Sequence, residues 1–129
     1  MSRYARRVDG NQADIVRVLR ARGASVEPLS RLGGGVPDLL VGFLGINLLF
    51  EVKDPEGARA RGTGVPSATE LTPAERDWQS AWIGQVCVIN SAEEAMEYLD
   101  MIAAHSDPKF VERQREARDM QAGEEWKNG

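Results

Sequence analysis

One cysteine, one histidine and no long apolar run: the chain lacks the raw material for several kinds of protein. Cys87 has no second thiol to pair with, so no disulfide forms within the chain, and this usage fits a reducing cytoplasm. His105 is the only imidazole, which leaves a zinc site of the His/Cys type short of ligands. No stretch approaches the roughly twenty apolar residues of a membrane span. The basic start, Met1-Ser2-Arg3-Tyr4-Ala5-Arg6-Arg7, is followed by no apolar signal core. No membrane partner is expected, and the expected location is cytoplasmic. No internal repeat is visible.

What is present suits a single globular domain with one modest core: 129 residues, 42% of them hydrophobic. Charge is spread unevenly. Residues 1–61 carry nine Arg and one Lys against seven acids, net +3, whereas residues 62–129 carry six basic and thirteen acidic residues, net −7. The overall acidity argues against a protein that coats nucleic acid through its whole field. It leaves room for a nuclease, which needs only a local basic surface.

The basic half holds the most informative pattern. Val36-Pro37-Asp38 leads into two apolar runs, Leu39-Leu40-Val41 and Ile46-Asn47-Leu48-Leu49-Phe50, followed by Glu51-Val52-Lys53. The runs read as two strands joined by a tight turn within Gly42 to Gly45. If the turn closes on Leu44-Gly45, Phe43 faces Ile46 and Asp38 faces Glu51. Directly opposed residues have Cβ atoms roughly 4.5–5.5 Å apart, and like charges placed there repel. A bound divalent cation is the simplest reason for such a pair, since Mg²⁺ sites are built from one or two carboxylates plus waters and phosphates. Lys53 lies two residues past Glu51 and so points to the same face. Two acids and a lysine together outline a metal-assisted hydrolase site. A surface Glu-Lys pair beside a hairpin-end Asp is the bland alternative. It leaves unexplained why Glu51 and Lys53 share a side with Leu49 in an apolar run.

Around the hairpin, residues 9–23 read as a helix with Ile15, Val16, Val18 and Leu19 as its stripe and Gly23 as its stop. Asp9 and Gln12 form a possible capping box there. Residues 25–29 suit a short strand. Gly33-Gly34-Gly35 is a loop that lets backbone approach something closely, or only a permissive turn. Residues 54–71 look like a long flexible loop, of a length that is uncommon unless functional or disordered. Thr72-Pro73-Ala74-Glu75 has the N-cap, N1 proline and N3 glutamate of a helix start, and that helix runs to about Trp82. Residues 85–89 suit a buried strand. Ser91-Ala92-Glu93-Glu94 is a second capping box, opening a helix with Ala95, Met96, Leu99 and Ile102 on its apolar face. The strand–helix–strand order from 46 to 89 makes those two strands parallel.

This α-β-β-β-α-β-α order with Pro37-Asp38…Glu51-Val52-Lys53 resembles the PD-(D/E)XK nuclease superfamily. Gly35-Val36-Pro37-Asp38-Leu39-Leu40-Val41-Gly42, Leu49-Phe50-Glu51-Val52-Lys53 and Leu71-Thr72-Pro73-Ala74-Glu75-Arg76-Asp77-Trp78 look like its virus-type replication-repair (VRR-NUC) branch and the small phage nucleases near it. They are also similar to archaeal-type Holliday junction resolvases. The resemblance covers roughly residues 9–100 and implies a restriction-endonuclease-like αβββαβα core, with a mixed central sheet flanked by helices. It makes Asp38 and Glu51 metal ligands, adds the Val52 backbone carbonyl as a third, and gives Lys53 the attacking water and the phosphate charge. The implied cofactor is Mg²⁺, with Mn²⁺ as substitute. Many relatives carry a glutamate in the first helix. Gln12 stands at that position, beside Asn11, and either holds a metal-bound water or only caps the helix. Glu75 stands where the pattern often has Gln, and capping accounts for it.

The expected domain is residues 1–106, with 107–129 a charged, partly helical tail that is peripheral or contacts a partner. The expected activity is metal-dependent endonucleolytic hydrolysis of DNA, by a phage-encoded enzyme working in the host cytoplasm on branched or replicating DNA. The alternative is a catalytically silent DNA-binding or phage assembly and structural protein that retains the fold. Arg20, Arg31, Arg59 and Arg61 are the candidate phosphate contacts, Arg being suited to bidentate pairing. Trp78 and Trp82, spaced i, i+4, read as core, and Cys87 as buried and inert. Symmetric cutting of a duplex or junction needs two sites, which points to a homodimer or higher even oligomer. Ile102, Phe110, Val111 and Trp126 are the apolar residues left over for that contact.

Overall fold

A computed structural model describes residues 11–55 and 70–128, the last five by backbone alone. In chain order the elements are α1 (Gln12–Ala21), β1 (Ser25–Pro28), a 3₁₀ turn (Ser30–Leu32), β2 (Leu39–Phe43), β3 (Ile46–Val52), α2 (Pro73–Ala81), β4 (Cys87–Ile89), α3 (Ala92–His105) and α4 (Pro108–Asn128). The fold is mixed α/β. Its sheet has the order β1-β2-β3-β4, with β1/β2 and β2/β3 antiparallel and β3/β4 parallel.

The β2–β3 hairpin closes on Leu44 and Gly45, both with positive φ (50° and 81°), the conformation that two-residue hairpin loops require. Phe43 therefore pairs with Ile46 and Leu39 with Phe50. Strand residues alternate between faces, and this register divides the sheet cleanly. Val26, Leu39, Val41, Leu48, Phe50 and Val52 pack on one face against Ile15 and Leu19 of α1 and Ala95 and Leu99 of α3. Each of these side chains larger than alanine contributes roughly 1.5–3 kcal/mol by leaving water. Phe50 meets Tyr98 with ring centroids 5.4 Å apart. The opposite face, carrying Leu40, Gly42, Asn47, Leu49 and Glu51, has α2 at its Glu51 end and is covered by no other element among the described residues.

Several helix and strand ends differ from expectation. The first helix is capped at Asn11 with no side-chain cap, so Gln12 stands at N1 and completes no capping box; Asp9 lies outside the described residues. Asn11 is occupied otherwise: its Nδ2 donates to the carbonyls of Lys53 (3.1 Å) and Asn90 (2.8 Å), tying α1 to the ends of β3 and β4. The last strand is three residues, not five. The Gln85 side chain takes the place of strand backbone, accepting from Leu49 N (2.6 Å) and donating to Leu49 O (3.0 Å). The Thr72–Glu75 capping box forms in full. At Ser91 only half of one forms, because Glu94 reaches back one residue further, to Asn90 N (2.8 Å).

Trp78 and Trp82 are not core. They stack on each other at 4.7 Å on the surface of α2, and Trp82 is 46% exposed. The tail from Pro108 is one long helix rather than a partly helical segment. Its first turn seats Phe110 on the hairpin: a Cβ at Gly45 would lie 2.9 Å from the Phe110 ring.

Candidate functional site

The hairpin register, continued one step past Leu39 and Phe50, sets Asp38 opposite Glu51. Asp38 Oδ2 accepts from the backbone N of Val52 at 2.7 Å. In a strand the N–H and C=O of one residue point to the same edge. The Val52 carbonyl is thereby aimed at the Asp38 side, while Lys53 N turns the other way and donates to Ile89 O (2.9 Å). Asp38, Glu51 and the Val52 carbonyl thus converge at the end of the hairpin.

Glu51 is 1% exposed, and its Oε2 has no hydrogen-bond partner among the described residues. Burial pushes its carboxyl up to about 11, helped by the hydrogen bond to Asp38 and the charge of Asp38, then by the hydrogen bond to and charge of Glu75. Buried between two other acidic side chains, Glu51 is disfavoured as a charged group.

Lys53 is 3% exposed and donates from Nζ to Glu75 Oε1 at 2.8 Å. The same oxygen accepts from Thr72 N at 2.8 Å, as the capping box requires. Burial would raise the Glu75 carboxyl. The hydrogen bond from Lys53, followed by those from the Thr72 backbone and Glu51 and the charge of Lys53, holds it below its ordinary value. Glu75 therefore belongs to the cluster as well as to the helix cap. A positional signal for it exists in the sequence. A crossover helix between parallel strands starts at the edge where the first strand ends, so the first turn of α2 must lie beside Glu51 and Lys53. Gln79, one turn further on the same helix face, has a buried Nε2 with no partner among the described residues.

Gly35 is what lets α2 come this close. Its φ is +84°, and a Cβ there would lie 2.2 Å from the Ala74 carbonyl oxygen. Of the three loop glycines, Gly35 alone makes a close backbone approach; Gly33 and Gly34 face open space.

The remaining sequence candidates scatter. Gln12 is buried beside Asn11, so the start of α1 does lie near the end of β3. Arg20 spends Nη2 on the Val26 carbonyl (3.1 Å). Arg31 is exposed on the 3₁₀ turn, and Arg59 and Arg61 lie outside the described residues.

Among the described residues no three His, Cys, Asp or Glu side chains converge as a ready-made metal site. The donors that do converge, two carboxylates and a carbonyl with a stranded buried oxygen on Glu51, fit a hard divalent cation that keeps several waters. No described helix is long and apolar enough to cross a membrane. Compared with known proteins, the chain matches no family model, no curated protein and no solved structure.

Proposed function

We propose that this chain is a metal-dependent nuclease of the PD-(D/E)XK type that hydrolyses phosphodiester bonds in DNA. The observation that carries the reading is the Glu51 carboxyl. It is buried opposite Asp38 with an oxygen that has no partner among the described residues, and the neighbouring Lys53 is already held by Glu75. Such a group costs stability in the isolated chain and has a use only if something positive joins it.

Asp38, Glu51 and the Val52 carbonyl would hold Mg²⁺ or Mn²⁺. When bound, the ion would supply Lewis-acid polarisation of the phosphate and a more acidic water. Lys53, fixed by Glu75, places its ammonium beside the carboxylates, where negative charge grows on the phosphoryl oxygens. Glu75 is a positioning residue: with Thr72 N and Lys53 Nζ on one oxygen, it fixes the lysine rather than touching substrate. Hydrolysis consumes one water. Its oxygen joins phosphorus, one P–O ester bond breaks, and the departing sugar oxygen is protonated.

The test is cleavage of a mixed set of duplex, flap, junction and single-stranded DNA with Mg²⁺, Mn²⁺ or EDTA. Metal-dependent cutting that is lost in Asp38→Asn and Lys53→Met is expected. A second reading, a silent DNA-binding or phage assembly protein, is favoured by the closed Lys53–Glu75 pair and by Gln12 standing where many relatives carry a glutamate. Binding without cutting in every metal would establish it. A nuclease of this kind acting symmetrically would be a twofold dimer, which light scattering reads directly. Phe110, counted as a spare apolar residue, is partly used within the chain against Gly45.

A further inference from the structure

The face of the sheet that carries Glu51 does not end at the acidic cluster. Asn47 and Leu49 of β3 share that face with Glu51, and Gly42 and Leu40 of β2 pair with them. Leu40 is 39% exposed, and the half-exposed Trp82 ring borders it in a shallow pocket of about 290 Å³ that also includes Leu49, Asn47 and Gln85. Asn47 lines a second, larger groove as well. This one, of about 630 Å³, wraps the hairpin end of the sheet, where Gly42 and Asn47 of this face meet Phe43 and Ile46 of the other, and is walled by α4 and the end of α1.

The larger groove is basic. Val111, Gln114, Arg115 and Arg118 of α4 line it, at the i, i+3, i+4, i+7 spacing of one helix face, and Arg22 lines it from α1. Among the described residues no carboxylate lines it. Arg22 is shared with Asp100 at 3.0 Å, whereas Arg115 and Arg118 make no ion pair among the described residues. Glu112 and Asp119 flank Arg115 at i−3 and i+4 and Glu116 lies further round the helix; none of the three lines the groove. Glu27, on the same sheet face of β1, bounds the track on that side and would keep phosphates over β2 and β3. From Asn47 to Glu51 is about 13 Å at strand rise, a span of a few nucleotides.

We propose that this open face is a track for one strand of nucleic acid, its phosphates held by Arg115 and Arg118 at one end and delivered to Asp38 and Glu51 at the other. The inference deepens the nuclease reading and rests on it. A duplex turns its phosphates outward and has nothing to lay on Leu40, Leu49 and Trp82. A single strand has bases to stack there, and a basic groove interleaved with aromatic surface is how such strands are held without sequence preference. Arg115 and Arg118 come from α4, outside the stretch that resembles the nucleases.

The test is binding, measured in EDTA so that no cutting intervenes. Fluorescein-labelled oligothymidylate and a duplex of equal length are titrated with the full chain by anisotropy across a salt series. The wild type is expected to prefer the single strand. Arg115→Ala/Arg118→Ala, at exposed helical positions where alanine keeps the helix, should weaken strand binding at least about tenfold. It should also lower the slope of log affinity against log salt by about 1.4, two phosphate contacts at about 0.7 each. Trp82→Ala should cost at least about fivefold with the slope unchanged, the low end for one base stack. Circular dichroism checks that both variants keep wild-type helix content. An arginine variant with unchanged affinity and slope overturns the inference, as does a wild type that binds duplex as tightly as strand or binds neither. Cleavage decides the nuclease reading separately. Metal-dependent cutting with an unchanged arginine variant leaves the enzyme and removes the track, and a reduced slope without cutting does the reverse.

Discussion

Replacing Glu51 by glutamine should make the metal-free protein more stable, by an amount that depends on pH in a defined way. The carboxyl titrates near 4.5 when unfolded and near 11 when folded, because burial and the neighbouring Asp38 and Glu75 oppose its charge. Between those values the folded chain holds one proton more than the unfolded chain. Stability is therefore full below pH 4.5 and falls as pH rises, by about 1.4 kcal/mol per unit, until the folded group ionises. At pH 7 the accumulated cost is about 3 kcal/mol, and it does not depend on where near 11 the folded value lies. Glutamine has nearly the same shape, carries no titrating proton and offers two N–H donors to the two flanking carboxylates. Urea unfolding in EDTA at pH 6, 7 and 8 should show Glu51→Gln above wild type at each pH. The gap should widen by roughly 3 kcal/mol over the range. Taking the difference between the two proteins cancels the titrating groups outside the cluster. Parallel stability curves, or a glutamine variant weaker than wild type at pH 8, would refute the argument that Glu51 is buried as an acid. Adding Mg²⁺ should reverse the order, since only the wild type gains by binding it.

Three other substitutions test the surroundings. Asp38→Ala should destabilise the metal-free chain by about 1–3 kcal/mol in thermal melts, because Val52 N, bonded at 2.7 Å, is left buried without an acceptor. Asp38→Asn keeps an acceptor for Val52 N and should melt above Asp38→Ala; equal melting of both variants would mean the hydrogen bond contributes nothing. Gly35→Ala should cost about 2 kcal/mol or more, since it adds a strained φ of +84° and a 2.2 Å clash with the Ala74 carbonyl. A neutral result in urea unfolding would show that the start of α2 is not fixed where the close approach puts it. Gln12→Glu should tighten Mn²⁺ binding in calorimetry, and an unchanged affinity would remove Gln12 from the site.

Much of this arrangement was legible in the sequence because it follows from one register. Leu44-Gly45 closes the turn, the pairing follows residue by residue, and Asp38 comes to rest opposite Glu51 with no help from the rest of the chain. The parallel partnership of β3 and β4 likewise follows from a helix intervening between two strands. What the sequence concealed depends on side chains that serve two purposes at once. The crossover puts Glu75 near the end of β3, but the capping box accounts for it so fully that nothing marks its second bond, to Lys53. Asn11 is the N-cap by position, yet its amide is spent on two strand ends. Gln85 looks like the first residue of a strand because it does a strand's work, but with its side chain. Trp78 and Trp82 have core spacing, but they lie on a helix over the open end of the sheet and pack on each other. The arginine groove was hidden for a different reason: Arg22, Arg115 and Arg118 come from opposite ends of the chain, and nothing in the sequence brings them together.

The two ends of the open face differ in what they ask of the fold. At the hairpin end Arg115 and Arg118 are exposed and cost little, so changes there should alter binding and leave stability alone. At the other end, Glu51 and Lys53 are buried, and the fold tolerates them through two fixed devices. One is the Val52 N–H that holds Asp38, and the other is the glycine approach that delivers Glu75 to Lys53. Removing either device should release the cluster even though neither Gly35 nor Val52 N has any chemistry of its own. The buried Glu51 proton and a bound cation are then competing answers to the same deficit of positive charge. Metal binding should release close to one proton per site at pH 7, seen in calorimetry as a heat that changes with the ionisation enthalpy of the buffer. A heat that is the same in every buffer would mean that Glu51 is already ionised and that Lys53 alone balances it.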